Sequence, residues 1–215
     1  CYAMAPFISI RALEQIKCGP GLMNLPICIV SVGVGLGYAD AGPTHYTTED
    51  LTCLRSISNI SIYTTSDSNS AEDIIQSYLD KPHFSYLRLD RDILKDIEHY
   101  KIEKKTCYRV LGENSSNKIC IIAHGKTTHI ANEVIKKDPD NFFVIDLLRC
   151  KPFPIEVIEM IKNSRGIITI DEQNFNGSLY SIVMENINKT KIQSSYISLP
   201  DNYIFENGGR DYLLK

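Results

Sequence analysis

Short apolar runs alternate along this chain with stretches whose apolar residues recur at helical spacing, a pattern that predicts an α/β protein with parallel sheets. The first run, Pro26-Ile27-Cys28-Ile29-Val30-Ser31-Val32, is apolar almost throughout, as in a strand covered on both faces. It opens into a glycine-rich loop from Gly33 to Gly42. Thr47 precedes Asp50 by three positions, a capping-box pattern that predicts a helix over Glu49 to Ile57. A strand over Ile60 to Tyr63 comes next, then Ser66-Asp67-Ser68 and a helix with Ile74, Ile75 and Tyr78 on one side. Ser85 to Leu89 reads as a further strand.

From Asp90 to Lys105 the chain is dense in charge and poor in apolar periodicity. This predicts an interdomain linker, set at 96–112, between a first domain over 1–95 and a second over 113–215. The second domain repeats the alternation: strands over Lys118 to Ala123, Phe142 to Leu148 and Gly166 to Ile170, and helices over Thr127 to Lys137, Pro154 to Asn163 and Ser178 to Ile187. Pro154 suits a first helical turn, Ile155, Ile158 and Ile161 form the expected buried stripe, and Arg165-Gly166 suits the helix end. Two three-layer αβα domains are therefore expected.

Composition narrows the function more than the fold. Hydrophobic residues at 43% and charged residues at 23% are ordinary for a globular protein. A net charge of -3 supplies no basic field for nucleic acid or acidic lipid, and neither partner is expected. No apolar run approaches the roughly 20 residues that span a bilayer. Seven cysteines, none spaced as Cys-x-x-Cys, fit reduced thiols in a cytoplasmic protein better than a disulfide framework or zinc site.

The chemistry concentrates in Gly33-Val34-Gly35-Leu36-Gly37-Tyr38-Ala39-Asp40-Ala41-Gly42-Pro43-Thr44-His45. A dinucleotide fingerprint needs its glycines to lead directly into a helix. Here Gly42-Pro43 and further residues intervene, which argues against that reading. In open α/β sheets, ligands bind beyond the carboxyl ends of strands, which is where His45 falls. The expected helix start near Thr47 would turn its free N–H groups toward the same space, a setting that favours a neutral imidazole able to donate or accept a proton. A histidine that merely closes the loop is the alternative.

Ala41-Gly42-Pro43-Thr44-His45-Tyr46, followed by Glu49-Asp50-Leu51 and Leu54-Arg55, resembles the Gly-Pro-Thr-His segment of the transketolase family, especially its two-subunit members. Ala5-Pro6-Phe7, Arg11 to Ile16, Tyr63 to Asp67, Tyr86 to Arg91, Leu148 to Phe153 and Ile170 to Gly177 continue the resemblance in order over nearly the whole chain. It implies a pyrimidine-binding domain, incomplete at its N-terminal side, followed by the family's C-terminal domain. It also implies a thiamine diphosphate cofactor held with magnesium, with the metal ligands on a partner chain or domain.

By that resemblance His45 is the catalytic residue, lying over the thiazolium and contacting the substrate oxygen. Phe7 stacks on the aminopyrimidine, and Arg91 holds a substrate phosphate. Arg11 and Glu14 are read as structural. The expected activity is transfer of a two-carbon ketol or acyl unit between sugars or 2-oxo acids, in a dimer or heterotetramer with a diphosphate-binding subunit. The family's catalytic glutamate is expected upstream of Phe7, so these 215 residues are expected to be inactive alone. Ala41 stands where an aspartate is usual, no second histidine lies between Ser31 and Gly37, Tyr46 replaces glutamine or histidine, and Ser56 to Asn59 lacks the usual proline. These departures keep two alternatives in view: a non-catalytic stabilising or regulatory subunit, and a deoxyxylulose-phosphate synthase-like chain or β subunit of a 2-oxo acid dehydrogenase.

Overall fold

A computed structural model describes residues 1–97, 107–187, 191–206 and 208–214. Along the first part run β1 (Tyr2–Met4), α1 (Ala5–Ile8), α2 (Leu13–Ile16), β2 (Cys28–Val32), α3 (Asp50–Arg55), β3 (Ser61–Thr64), α4 (Ser68–Asp80) and β4 (Ser85–Leu89). The second part holds β5 (Tyr108–Leu111), β6 (Ile119–Ala123), α5 (Lys126–Lys137), β7 (Phe142–Leu147), β8 (Arg149–Lys151), α6 (Ile155–Lys162), β9 (Gly166–Asn174), α7 (Leu179–Asn186), β10 (Ser194–Leu199) and α8 (Arg210–Leu213).

Two five-stranded sheets result, ordered β1-β2-β4-β3-β8 and β10-β9-β6-β7-β5. All neighbours run parallel except β8 against β3 and β5 against β7. Most of the expected linker lies outside the described residues, and its last part is strand β5. The two halves of the sequence share the first sheet at β8. This segment of the second half pairs Ile62 with Lys151 and Tyr63 with Arg149 at the edge of the first sheet.

Local chemistry explains the helices. Asp67 caps α4 by accepting the Ser70 N–H at 2.8 Å, while the Ser70 hydroxyl takes the Asp67 N–H at 3.0 Å, a reciprocal capping box. The box expected at Thr47 and Asp50 does not form: Thr47 Oγ1 is buried without a partner, and the Asp50 carboxylate turns inward to Arg88 and Tyr86. In α6 the buried pair is Val157 and Ile161, whereas Ile155, the first residue after the N-cap Pro154, is 72% exposed. That helix ends at Lys162, and Gly166 opens β9, which runs on through Asp171-Glu172 to Asn174.

One hydrophobic cluster runs through both halves, taking Ile29, Leu51, Leu54, Ile62 and Tyr86 from the first and Cys120, Phe143, Val157 and Leu179 from the second. Beside it lies a polar seam. Arg88 from β4 forks onto Asp50, with Nε 2.8 Å from Oδ2 and Nη2 3.2 Å from Oδ1, and its Nη1 reaches Thr64 Oγ1 at 3.0 Å and His124 Nδ1 at 3.1 Å. Arg109 from β5 bonds Asp67 at 2.8 Å and Asp146 at 2.6 Å. Ser66 completes the join through Asp146 Oδ1 and the Gly125 N–H. Buried charges are tolerated only when paired and hydrogen-bonded, and these side chains are at most 2% exposed.

Candidate active site

Beyond β2 the chain turns at Gly33, where φ is +82° and an added Cβ would lie 2.0 Å from the Tyr38 ring. Only glycine suits that conformation at that spacing. The loop closes at its base, where Gly35 and Thr47 exchange backbone hydrogen bonds of 3.0 and 2.9 Å. Gly42, also at φ +82°, accepts the His45 N–H at 3.0 Å and so forms the Gly-Pro-Thr-His turn. Helix α3 starts at Asp50, farther from His45 than the sequence pattern suggested.

Two of the three residues singled out from the sequence, Phe7 and His45, meet directly, and Arg91 joins them through the Tyr38 ring. Half-buried His45 meets the Phe7 ring edge-on, with centroids 5.5 Å apart and planes at 69°, and faces Tyr38 at 6.5 Å. The Thr44 hydroxyl lies 3.0 Å from His45 Nδ1. Arg11 stands 4.2 Å over the Phe7 ring, and Arg91 stands 4.7 Å over the Tyr38 ring. Arg91 also forks onto Asp40. Its hydrogen bond holds the Asp40 carboxyl below the usual carboxylate range, and Asp40 in turn raises the Arg91 guanidinium. Tyr46 is buried, its hydroxyl near the Ala39 and Glu206 carbonyls at 3.2 and 3.4 Å, and desolvation raises its phenol.

An imidazole, a phenyl ring, a phenol and a guanidinium form a surface suited to an aromatic heterocycle and to a substrate carrying oxygen or negative charge. Its one carboxylate, Asp40, is taken up by Arg91. Magnesium favours several oxygen ligands at close range. The cluster therefore fits the ring end of thiamine diphosphate and not its metal-bound diphosphate. Among the described residues no group of three or more histidine, cysteine, aspartate or glutamate side chains could hold a metal.

Comparison with known proteins matches residues 2–96 to the transketolase pyrimidine-binding domain and residues 109–202 to the transketolase C-terminal domain. The chain belongs to the transketolase family. An apulose-4-phosphate transketolase subunit from Phocaeicola vulgatus is 25% identical, over 96% of this chain and 68% of its own length. The corresponding subunit from Actinobacillus succinogenes is 27% identical over 85% and 60%. The 1-deoxy-D-xylulose-5-phosphate synthase of Dictyoglomus thermophilum is 29% identical over 94% of this chain but 34% of its own. This transketolase-family chain thus spans 60–68% of those subunits and about a third of that synthase. A solved split-gene transketolase, an inactive β4 tetramer, shares the fold with a TM-score of 0.79 at 22% identity, over 93% of this chain and 66% of that one. No described helix is long and apolar enough to cross a membrane, and none of the seven cysteines forms a disulfide.

Tyr38, whose ring lies between His45 and Arg91, and Asp40, which Arg91 forks onto, belong to no motif of the sequence. An aromatic residue set among alternate glycines was the available signal, because such a loop has no helix or strand in which to bury it. Arg11, read as structural, packs directly on Phe7.

Proposed function

We propose that this chain is the pyrimidine-binding and C-terminal portion of a thiamine-diphosphate-dependent transferase that moves a two-carbon ketol or acyl unit between sugars or 2-oxo acids. The observation that carries this reading is the meeting of Phe7, His45, Tyr38 and Arg91 beyond the carboxyl ends of the first sheet, in a domain of the transketolase family. The cofactor, when bound, supplies the carbanion chemistry. Phe7 offers an aromatic face to the aminopyrimidine. His45 donates or accepts a hydrogen bond at the reacting oxygen of the substrate, and Arg91 binds the substrate's charged end. A partner subunit completes the site with the diphosphate and magnesium ligands, giving a dimer or heterotetramer. Domains over 1–95 and 113–215, and a cytoplasmic setting for seven thiols, belong to the same proposal.

The test is turnover in the complex reconstituted with the diphosphate-binding subunit. His45→Ala is expected to lower kcat by 10²-fold or more, as for loss of a positioned acid–base group. Unchanged turnover would remove His45 from the chemistry. A second reading, a non-catalytic stabilising subunit, draws on Tyr46, whose hydroxyl is committed to backbone carbonyls rather than to the site. It predicts a complex that assembles but never turns over, whatever residue stands at 45.

A further inference from the structure

The loop that carries Tyr38, Asp40 and His45 is held from behind by the second half of the chain. Three consecutive residues at the end of β9 grip both legs of its base. Glu172 Oε2 accepts the Leu36 N–H at 3.1 Å, Gln173 Nε2 donates to the Thr47 carbonyl at 3.1 Å, and the Asn174 N–H donates to the Thr48 carbonyl at 2.8 Å. The fit is tight, since a Cβ on Gly35 would lie 2.5 Å from Glu172 Oε2.

Glu172 is itself locked. Arg210, at the start of α8, reaches it through Nε at 3.0 Å and Nη2 at 2.8 Å. Its Nη1 bonds Asp90 Oδ1 at 2.8 Å, and Asp90 is the chain neighbour of Arg91. The side chains of Arg210, Glu172 and Asp90 are less than a tenth exposed, and the cavity beside them, near 20 Å³, has room for about one water. Ion pairs in such dry surroundings hold their geometry far better than surface pairs. A single guanidinium therefore ties together the two segments that bear His45 and Arg91.

We propose that Arg210 and Glu172 are positioning residues for the site: a clamp by which the C-terminal end of the chain fixes the loop bearing His45 relative to Arg91. The catalytic half of this inference rests on the function proposed above. The clamp itself does not.

The test uses Arg210→Met, which keeps the stem and removes the guanidinium, with Arg210→Lys as the conservative variant and Glu172→Gln, which keeps an oxygen for the Leu36 N–H. In the cofactor-free chain, amide exchange at Leu36 and Thr47 is expected to rise at least tenfold in Arg210→Met, while exchange at Ile121 in β6 stays unchanged. Arg210→Lys and Glu172→Gln are expected to fall between wild type and Arg210→Met. In the reconstituted complex, Arg210→Met is expected to lower kcat at least tenfold, with KM changed less than threefold and Arg210→Lys partly restoring kcat. Unchanged exchange at Leu36, or an equal rise at Ile121, would overturn the clamp. A loosened loop with kcat unchanged would overturn its positioning role. Absence of turnover in the wild-type complex would instead count against the proposed function, with exchange still deciding the clamp.

Discussion

Asp50→Asn should be among the most damaging isosteric substitutions in this protein. It removes a charge and almost no volume at a side chain that is fully buried. Arg88, 2% exposed, would then lose the carboxylate that it forks onto and keep Thr64 Oγ1 and His124 Nδ1. Tyr86, whose hydroxyl donates to Asp50 Oδ2 at 2.8 Å, would lose charge assistance as well. Breaking a buried pair from one side costs about 3–5 kcal/mol. The two remaining acceptors, and the amide oxygen of the new asparagine, place the expected loss near the lower end, about 3 kcal/mol. At about 2–4 °C per kcal/mol for a chain of this size, the melting temperature should fall by roughly 6–12 °C. Urea unfolding followed by far-ultraviolet circular dichroism, extrapolated linearly, measures the loss directly. The double variant Asp50→Asn/Arg88→Met removes the stranded charge and should lose about 1–3 kcal/mol less than the sum of the two single variants. A single-variant loss below about 0.5 kcal/mol, or strict additivity in the double, would refute the view that this pair is electrostatically coupled in a dry environment.

Acid should act through the second ion cluster. Burial would raise the Asp67 carboxyl, but the Ile97 N–H, Arg109 and the Ser70 N–H outweigh it and hold it below its ordinary value. A lowered carboxyl contributes stability that is complete above its unfolded pKa near 4 and is lost as pH falls through its folded value. Urea midpoints should therefore stay level from neutral pH to about 5, fall below about 4, and fall less in Asp67→Asn. Gly35→Ala, which places a Cβ at φ +61° and 2.5 Å from Glu172, should cost about 2 kcal/mol or more in the same assay. Iodoacetamide at pH 8 should modify the exposed Cys1 and Cys18 in the native protein, as read by mass spectrometry. Cys150, whose thiol burial pushes to about 11, and fully buried Cys120 should react only after unfolding.

The strands most legible in the sequence were those covered on both faces. β2, β6 and β7 are near-continuous apolar runs, and such runs have few alternatives to a central parallel strand. The missed strands are short or lie at sheet edges. β1 and β8 have three residues each, and β10 buries none of its six residues fully, so none carries a period. His45 was singled out by its place beyond a strand end and Phe7 and Arg91 by resemblance, while their arrangement depends on a loop that turns on positive-φ glycines at 33 and 42. Arg88 could have been noticed, because a charge inside Tyr86-Leu87-Arg88-Leu89 must find a buried partner. Its partner, 38 positions upstream, could not have been named. The clamp was invisible for the same reason: Glu172 and Arg210 are ordinary surface residue types until the two sheets are packed together.

Strand β8 bears on how the protein comes to be folded during synthesis. The first sheet has four of its strands by Leu89, yet β3 keeps an open edge until residues 149–151 have left the ribosome. An uncovered strand edge invites pairing with other chains. A gene fragment ending near residue 97 would therefore encode a self-adhesive intermediate rather than a free-standing module, and an in-frame break between the two family-matched regions should yield halves that fold only in each other's company. Expression trials that split the chain there should find the first half insoluble alone and recovered when the second is supplied alongside it.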